Sequence, residues 1–383
     1  MNKKELGIYM HIPFCKQKCN YCDFISYTNK CEKIENYIEC LEKEIDKFDY
    51  RNYNVTTIYI GGGTPSYIDS KYIKQIMNSI YKKLQLEKNE LKEVEITIEV
   101  NPGTVTKGKL QDYKDVGINR ISIGLQCVQD RLLKILGRIH TFEDFINTYN
   151  LAKEVGFENI NVDLMLGFPD QSIEDIKESL NQIIKLNPNH VSTYSLIVEE
   201  GTKIFNQIEN NELQLPDEEL ERNMYWYVKN TLELNGYNHY EISNFSKKGK
   251  ESKHNMNCWN QEEYIGFGIA AHSYISNIRF SNTNNLEEYI KNITNNELEK
   301  NIIIEEEQTL EDKKREFMML GFRKIEGVNI SKFKEKFVDN PIFIYREKLN
   351  KLVEEGLIEI DLNNIRLTNK GIDFANLVFE EFI

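Results

Sequence analysis

Strand-like and helix-like patterns alternate through the first 240 residues, and that alternation leaves the chain few folds to choose from. Runs of β-branched and other apolar residues stand at 7–12, 55–60, 94–100, 118–125, 159–166 and 190–197. Between them apolar residues recur three and four apart. Ile34, Tyr37, Ile38, Leu41, Ile45 and Phe48 form one such set, and Ile73, Ile76, Met77, Ile80 and Leu84 a second. Phe145, Ile146, Tyr149, Ala152 and Val155 form a third, and Ile173, Ile176, Leu180, Ile183 and Ile184 a fourth. A further helix is expected over 217–235, with Leu220, Met224, Val228 and Leu232 on one face. Strands alternating with helices are βαβ crossovers, which need a parallel sheet covered by helices. Six such units fit before residue 240, fewer than the eight of a closed barrel. The expected fold is α/β: a partial, open (β/α)6 barrel of TIM-like type.

At roughly 150 residues per domain, 383 residues leave room beyond that barrel. The expected division is a core barrel over 1–240, an extension with connector over 241–305 and a separate unit over 306–383. Residues 240–285 hold Gly, Asn, Ser and aromatics with little periodicity and read as irregular, while 283–305, rich in Asn and Glu, read as a connector. The last part shows helical patterns over 307–324, 330–337 and 342–355. A hairpin signal centres on Asn363-Asn364, and a final helix follows. Three helices and a hairpin predict a small winged-helix-like α+β domain. Such domains often bind DNA, which gives one competing reading, a regulator sensing redox state. Against it, Lys plus Arg is 48 and Asp plus Glu 61, a formal net charge of −13, whereas nonspecific nucleic-acid binding needs a basic face. A protein-contact or lid role is the expectation, with no nucleic acid. No run of ~18 apolar residues predicts a membrane span, and the first nine residues carry no export signal. The chain is expected in the cytoplasm, with a peripheral membrane contact left open.

Seven cysteines without an export signal do not read as a disulfide framework. Cys15, Cys19 and Cys22 crowd into eight residues directly after the first strand, spaced Cys-x3-Cys-x2-Cys. Three thiolates on one short loop suit a soft metal centre. Zinc prefers a fourth ligand and close pairs, so an iron–sulfur cluster with one iron left open fits better, with zinc as the alternative. Cys31 and Cys40, beside the first helix, read as packing residues. A parallel barrel keeps its chemistry where the strands finish. There this chain has Gly61-Gly62-Gly63-Thr64-Pro65 after strand two and Glu99-Val100-Asn101-Pro102 after strand three. Gln126, then Gly137-Arg138, follow strand four, and Asp163 lies in strand five. The glycines let backbone approach a ligand closely.

The cysteine spacing after the first strand of a partial barrel resembles the radical S-adenosylmethionine superfamily. The resemblance implies a 4Fe–4S cluster on Cys15, Cys19 and Cys22, whose open iron chelates the amino and carboxylate groups of S-adenosylmethionine. An electron from the cluster then breaks a carbon–sulfur bond and releases a 5′-deoxyadenosyl radical. It also implies S-adenosylmethionine contacts from Tyr9, Tyr21, Gly62, Gly63, Thr64, Glu99, Gln126, Arg138 and Asp163, with Tyr21 packing on the adenine ring.

Three longer motifs narrow the resemblance. Tyr-x-His-Ile-Pro-Phe-Cys at 9–15, Gly-Gly-Gly-Thr-Pro-Ser at 61–66 and Leu-Gly-Phe-Pro at 166–169 look like the oxygen-independent coproporphyrinogen III oxidase group, over nearly the whole chain. Oxidases of that group carry a fourth cysteine two residues after the third; here the position is Phe24. The HemW-type heme chaperones of the same group have Phe there and a His-Asn-x-x-Tyr-Trp motif in the extension. This chain has His254-Asn255-Met256-Asn257-Cys258-Trp259, with Cys258 in place of the Tyr. Heme iron accepts His or thiolate as axial ligand. His254 is therefore expected to line a heme pocket or bind the iron, and Cys258 to be a second ligand or a small buried thiol. His272 is expected to line the cofactor cavity. The leading expectation is a protein that binds heme and transfers it to an acceptor hemoprotein, with a reductant protein serving the cluster. The alternative is radical decarboxylation of coproporphyrinogen III to protoporphyrinogen IX. Phe24 favours the chaperone.

Overall fold

The computed structural model describes residues 3–85 and 93–383; the first two residues of the stretch read for an export signal lie outside them. Six parallel strands form the centre: β1 (Lys4–Ile12), β2 (Tyr53–Gly62), β3 (Glu95–Val100), β4 (Arg120–Gln126), β5 (Asn159–Leu166) and β6 (His190–Ser195). Their crossovers carry α1 (Ile34–Lys47), α2 (Ser70–Leu84), α3 (Lys107–Asp115), α4 (Asp130–Ile135), α5 (Phe142–Val155) and α6 (Ile173–Leu186). After β6 come α7 (Lys203–Glu209) and α8 (Glu218–Leu234). Helix starts are fixed locally. Thr141 with Asp144 and Ser172 with Asp175 close capping boxes on α5 and α6, satisfying backbone N–H groups that a helix start leaves open. Alternate strand residues such as Ile58, Ile60, Ile96, Ile98, Ile121, Ile123, Ile160 and Val162 pack with Ile38, Leu41, Ile73, Met77, Leu110, Phe145 and Ile176 in one core. The intervening residues face inward and are largely polar, so the barrel has a polar lumen.

The extension is not irregular. It forms β7 (Asn238–Glu241), β8 (Asn244–Ser246), α9 (Lys253–Trp259), β9 (Tyr264–Phe267), β10 (His272–Ile275) and β11 (Ile278–Asn282). The expected connector is α10 (Leu286–Thr294) and β12 (Ile302–Glu307). These strands widen the sheet on both sides, giving the order β12-β11-β10-β9-β1-β2-β3-β4-β5-β6-β8-β7. Order here comes from distant partners. The Glu44 carboxylate, buried on α1, accepts hydrogen bonds from Gly268 N (2.8 Å), Asn282 Nδ2 (2.6 Å) and Tyr289 Oη (2.6 Å). Tyr37 Oη donates to His11 O and accepts from Ile269 N.

The remaining chain has its own core, including Phe317, Phe322, Phe333, Phe337, Leu349, Leu352 and Ile365. It comprises α11 (Leu310–Gly321), β13 (Val328–Asn329), α12 (Ile330–Phe337), α13 (Pro341–Ile344), α14 (Arg346–Glu354), β14 (Ile358–Ile360), β15 (Asn364–Leu367), α15 (Asn369–Asp373) and α16 (Ala375–Glu380), with a small antiparallel sheet ordered β13-β15-β14. The helix expected over 342–355 breaks at Tyr345, whose φ of −110° and ψ of 22° are not helical. This unit docks on the barrel: Arg323 Nη2 meets Glu241 Oε1 at 2.7 Å, Trp226 Nε1 donates to Asp373 Oδ1 at 2.8 Å, and Lys324 Nζ donates to Asn260 Oδ1 at 2.8 Å. Among the described residues no helix is long and apolar enough to cross a membrane.

Candidate functional site

The loop after β1 brings the three cysteines to the barrel mouth, where β2 to β5 also end. Its backbone is pinned by Cys15 N to Tyr27 O and Tyr27 N to Pro13 O. Thr64 Oγ1 donates to Cys15 Sγ at 3.4 Å and accepts from Asn101 Nδ2 at 2.9 Å. Asn101 Oδ1 accepts from Arg138 Nη2 at 3.0 Å, and Arg138 Nη1 donates to Cys19 Sγ at 3.6 Å. A chain of polar contacts thus runs from one cysteine, across the ends of β2, β3 and β4, to a second. The guanidinium on Cys19 supplies a countercharge for a thiolate. Burial pushes the Cys15 thiol up and the Cys22 thiol to about 11, so metal must displace protons on binding. Among the described residues no three His, Cys, Asp or Glu side chains converge on a point that would hold a single metal ion. Three thiols on one loop suit an iron–sulfur cluster with an open iron better than a four-ligand tetrahedral zinc site.

The glycines after β2 are needed for close approach, to protein groups as well as to a ligand. A Cβ on Gly63 would stand 2.9 Å from Cys15 Sγ, and one on Gly62 2.8 Å from His11 Nδ1, at a φ of +115°. Below them, Tyr9 and Tyr59 stack at 6.3 Å, Tyr9 Oη bonds His11 Nδ1 at 3.1 Å, and Tyr59 Oη donates to Glu99 Oε1 at 2.9 Å. Burial raises Glu99 to about 7 against that bond, and the Asp163 charge adds to the rise. Burial likewise raises Asp163 to about 6, opposed by Asn161 Nδ2, which donates at 2.6 Å, and by the Arg120 charge. Gln126 adopts a left-handed φ of 71°, and its buried Oε1 has no hydrogen-bond partner among the described residues. An unmet buried acceptor beside two carboxyl groups of raised pKa is a binding site's signature. Tyr21 packs with Leu132, Leu133, Leu136 and Phe168 and shares Arg138 with Cys19. The donor set therefore fits a three-cysteine cluster with a polar organic ligand beside it.

The residues proposed for heme lie elsewhere. His254 and Cys258 are one turn apart on α9, which closes the end of the barrel opposite the cysteine loop. Lys253 Nζ donates to Glu93 O, His254 N to Glu95 Oε1, and Asn257 Nδ2 to Thr56 Oγ1. His254 is 7% exposed, its Nδ1 lies 2.9 Å from Thr57 Oγ1, its ring rests on Tyr59, and burial lowers it to about 4. Burial raises the Cys258 thiol to about 11. His272 is exposed at the start of β10, paired with Glu305. The structure does not gather these three into one pocket. It does gather residues to which the sequence reading gave no ligand role: His11, Asn101, and His140, whose Nδ1 accepts from Arg138 Nε at 3.3 Å. Asn101 shares the inward strand parity of Glu99, a signal available in the sequence.

Comparison with known proteins agrees with this geometry. Residues 9–183 match the radical SAM superfamily and residues 308–374 the HemN C-terminal domain. The heme chaperone HemW of Bacillus subtilis is 38% identical over 98% of this chain and 98% of its own length, and that of Lactococcus lactis 37% identical over 100% and 98%. The chain belongs to the HemW family of radical SAM proteins. Iron–sulfur and S-adenosylmethionine binding follow from that membership. The fold of this HemW-family chain also matches coproporphyrinogen III oxidase from Escherichia coli, with a TM-score of 0.85 at 23% identity, over all of this chain and 91% of that one.

Proposed function

We propose that this protein is a heme chaperone: it binds heme and hands it to an acceptor hemoprotein in the cytoplasm, with its cluster on Cys15, Cys19 and Cys22. The observation that carries this reading is Phe24. It occupies the place of the oxidases' fourth cysteine, it cannot ligate iron, and it is 64% exposed beside the cysteine loop. Full-length similarity to proteins named heme chaperone HemW supports the same conclusion.

When bound, the cluster supplies an electron to S-adenosylmethionine. The chain's own groups do the rest. Thr64 and Arg138 hold Cys15 and Cys19, while Glu99, Gln126 and Asp163 offer acceptors to the ligand. Burial raises the Glu99 carboxyl to about 7, so a cationic amino group arriving there favours its ionised form and displaces a proton it carries to solvent. Tyr59 engages one oxygen of that carboxyl, and α9 closes the barrel below it.

The test is a heme titration beside a coproporphyrinogen III turnover assay on one anaerobically reconstituted preparation with reductant and S-adenosylmethionine. Stoichiometric heme binding without protoporphyrinogen is the expected result. Protoporphyrinogen accumulating over many turnovers would instead make the chain an oxidase that works with Phe24.

A further inference from the structure

Below Asp163 a hydrogen-bond chain descends to the barrel floor, and each donor in it is determined. Ionised Asp163 can only accept, so Asn161 presents Nδ2 to it and Oδ1 to His190 Nδ1; the neutral ring then accepts on Nε2 from Tyr240 Oη at 2.7 Å, and Tyr240 Oη accepts from Ser252 N at 3.2 Å. His190 is fully buried, and burial keeps it neutral, so its one proton sits on Nδ1 and is donated to Asn161 Oδ1 at 2.6 Å. That contact, the shorter of two on this oxygen (Ser192 Oγ stands 3.2 Å from it and 2.8 Å from Asn244 Oδ1), holds the Asn161 amide with Nδ2 toward Asp163 Oδ1 at 2.6 Å and Ser122 Oγ at 2.7 Å. Asp163 Oδ2 is left with a 3.4 Å contact from Ser122 Oγ. Ser252 caps α9, the helix whose far end joins the C-terminal unit: Arg323 lies 4.4 Å over the Trp259 ring, and Gln261 Nε2 donates to Glu316 Oε2 at 2.7 Å.

We infer that His190 and Tyr240 are positioning residues of the cofactor site: through Asn161 they hold Asp163 with one oxygen engaged and the other open to the ligand, and they tie that grip to α9. The inference rests on the reading that Asp163 contacts S-adenosylmethionine. The physical reason is orientation. An amide free to turn would present Oδ1 to the carboxylate instead of Nδ2, replacing an attraction with a repulsion in a buried site. The other charged or titratable groups acting on Asp163 are Arg120 on β4, Arg138 beyond α4, Glu99 on β3, Tyr59 on β2 and Tyr194 on β6. None of them is altered by the substitutions of His190 and Tyr240 below.

The experiment is S-adenosylmethionine binding to the reconstituted full-length protein by calorimetry between pH 5.5 and 8, with iron content and thermal midpoint recorded for every variant. Ionised Asp163 is the form that accepts from the ligand. Wild-type affinity is therefore expected to fall in two stages as pH drops, through about 7 with Glu99 and through about 6 with Asp163; the lower midpoint is the one the variants should move, and Glu99→Gln removes the upper one. In His190→Leu the Asn161 oxygen keeps only the 3.2 Å bond from Ser192 Oγ, so the Asp163 midpoint moves up by as much as about one pH unit; affinity then falls about twofold at pH 7 and up to about eightfold at pH 5.5. His190→Gln keeps a donor toward Asn161 and recovers most of the loss. Tyr240→Phe removes one oxygen and keeps the ring, so it carries the test if the Leu variant does not fold; its expected loss is about threefold at pH 5.5 and small at pH 7, with the midpoint displaced in the same direction. A wild-type midpoint in Tyr240→Phe and in any folded His190→Leu overturns the inference. So does a loss equal at every pH, which altered packing alone would give. Asp163→Asn separates the two levels. Unchanged affinity there removes Asp163 from the site and the inference with it, whereas weakened binding in Asp163→Asn with wild-type behaviour in the other variants removes the inference alone.

Discussion

With Cys15, Cys19 and Cys22 all replaced by Ala, anaerobic reconstitution is expected to give a protein with background iron and no iron–sulfur absorption in the visible. The loss is complete because the remaining thiols are badly placed to substitute. Cys40 and Cys127 are buried in the packing, and Cys258 sits on the floor helix at the other end of the barrel. Cys31, the exposed one, does not serve the packing role expected of it and has its Sγ 3.2 Å from Tyr67 Oη on a separate turn. The fold survives the change, since Cys19 and Cys22 are half-exposed and the loop is held by backbone bonds to Tyr27. Iron analysis with a visible spectrum, beside a circular dichroism melt, decides it. An unchanged cluster in the triple variant would sink the assignment of the mouth as a metal centre.

Glu44→Ala is expected to be the most damaging single substitution outside that loop, lowering stability by roughly 3 kcal/mol or more. Its carboxylate is the shared acceptor for Gly268 N, Asn282 Nδ2 and Tyr289 Oη, all buried. Removal leaves these donors unmet and opens a small void between α1, β9, β11 and α10. Burial raises the Glu44 pKa, yet the cost falls on the donors as much as on the acid. A urea or thermal midpoint measures the effect. Because the four elements it joins are far apart in sequence, the edge strands β9 to β12 are expected to lose hydrogen-exchange protection first. Protection unchanged there would mean that these strands are held mainly by their apolar contacts.

The central strands were legible because each presents five or more residues of β-rich pattern between helices with clear apolar faces. The same reasoning failed over 240–285 for a physical reason. β7, β8, β9 and β10 are three or four residues long, too short to show a period; β8 is ordered by pairing with β6, and β9 by β1 and α1, more than 200 positions away. In 283–305 a usable signal did exist: Asn285 caps α10, and Leu286, Tyr289 and Ile293 form its buried face, masked by the surrounding Asn and Glu. Helix α3 buries only Leu110 and Tyr113 within a charged stretch, which hid it as well. At the site, strand ends located Glu99, Gln126 and Asp163. What no local pattern revealed was the traffic between them, since Thr64, Asn101, Arg138 and Cys19 meet across four crossovers. The motif His254 to Trp259 was read as a heme motif within an irregular extension, whereas folding as a helix turns His254 into the lumen and Trp259 toward the C-terminal unit.

The twelve-stranded sheet never closes on itself, so it has two rims, and they are treated differently. Beside β7 the C-terminal unit supplies cover, through a bridge between Glu241 and Lys324. At β12 nothing among the described residues continues the ladder, and Ile303 and Ile304 stand 51% and 54% exposed in front of Glu305, Glu306 and Glu307. Like charges along a bare rim keep two copies from zipping together. That protection is a property of the solvent as much as of the sequence. Salt that screens the three carboxylates weakens it and leaves the exposed Ile303 and Ile304 as a seam along which edges can meet.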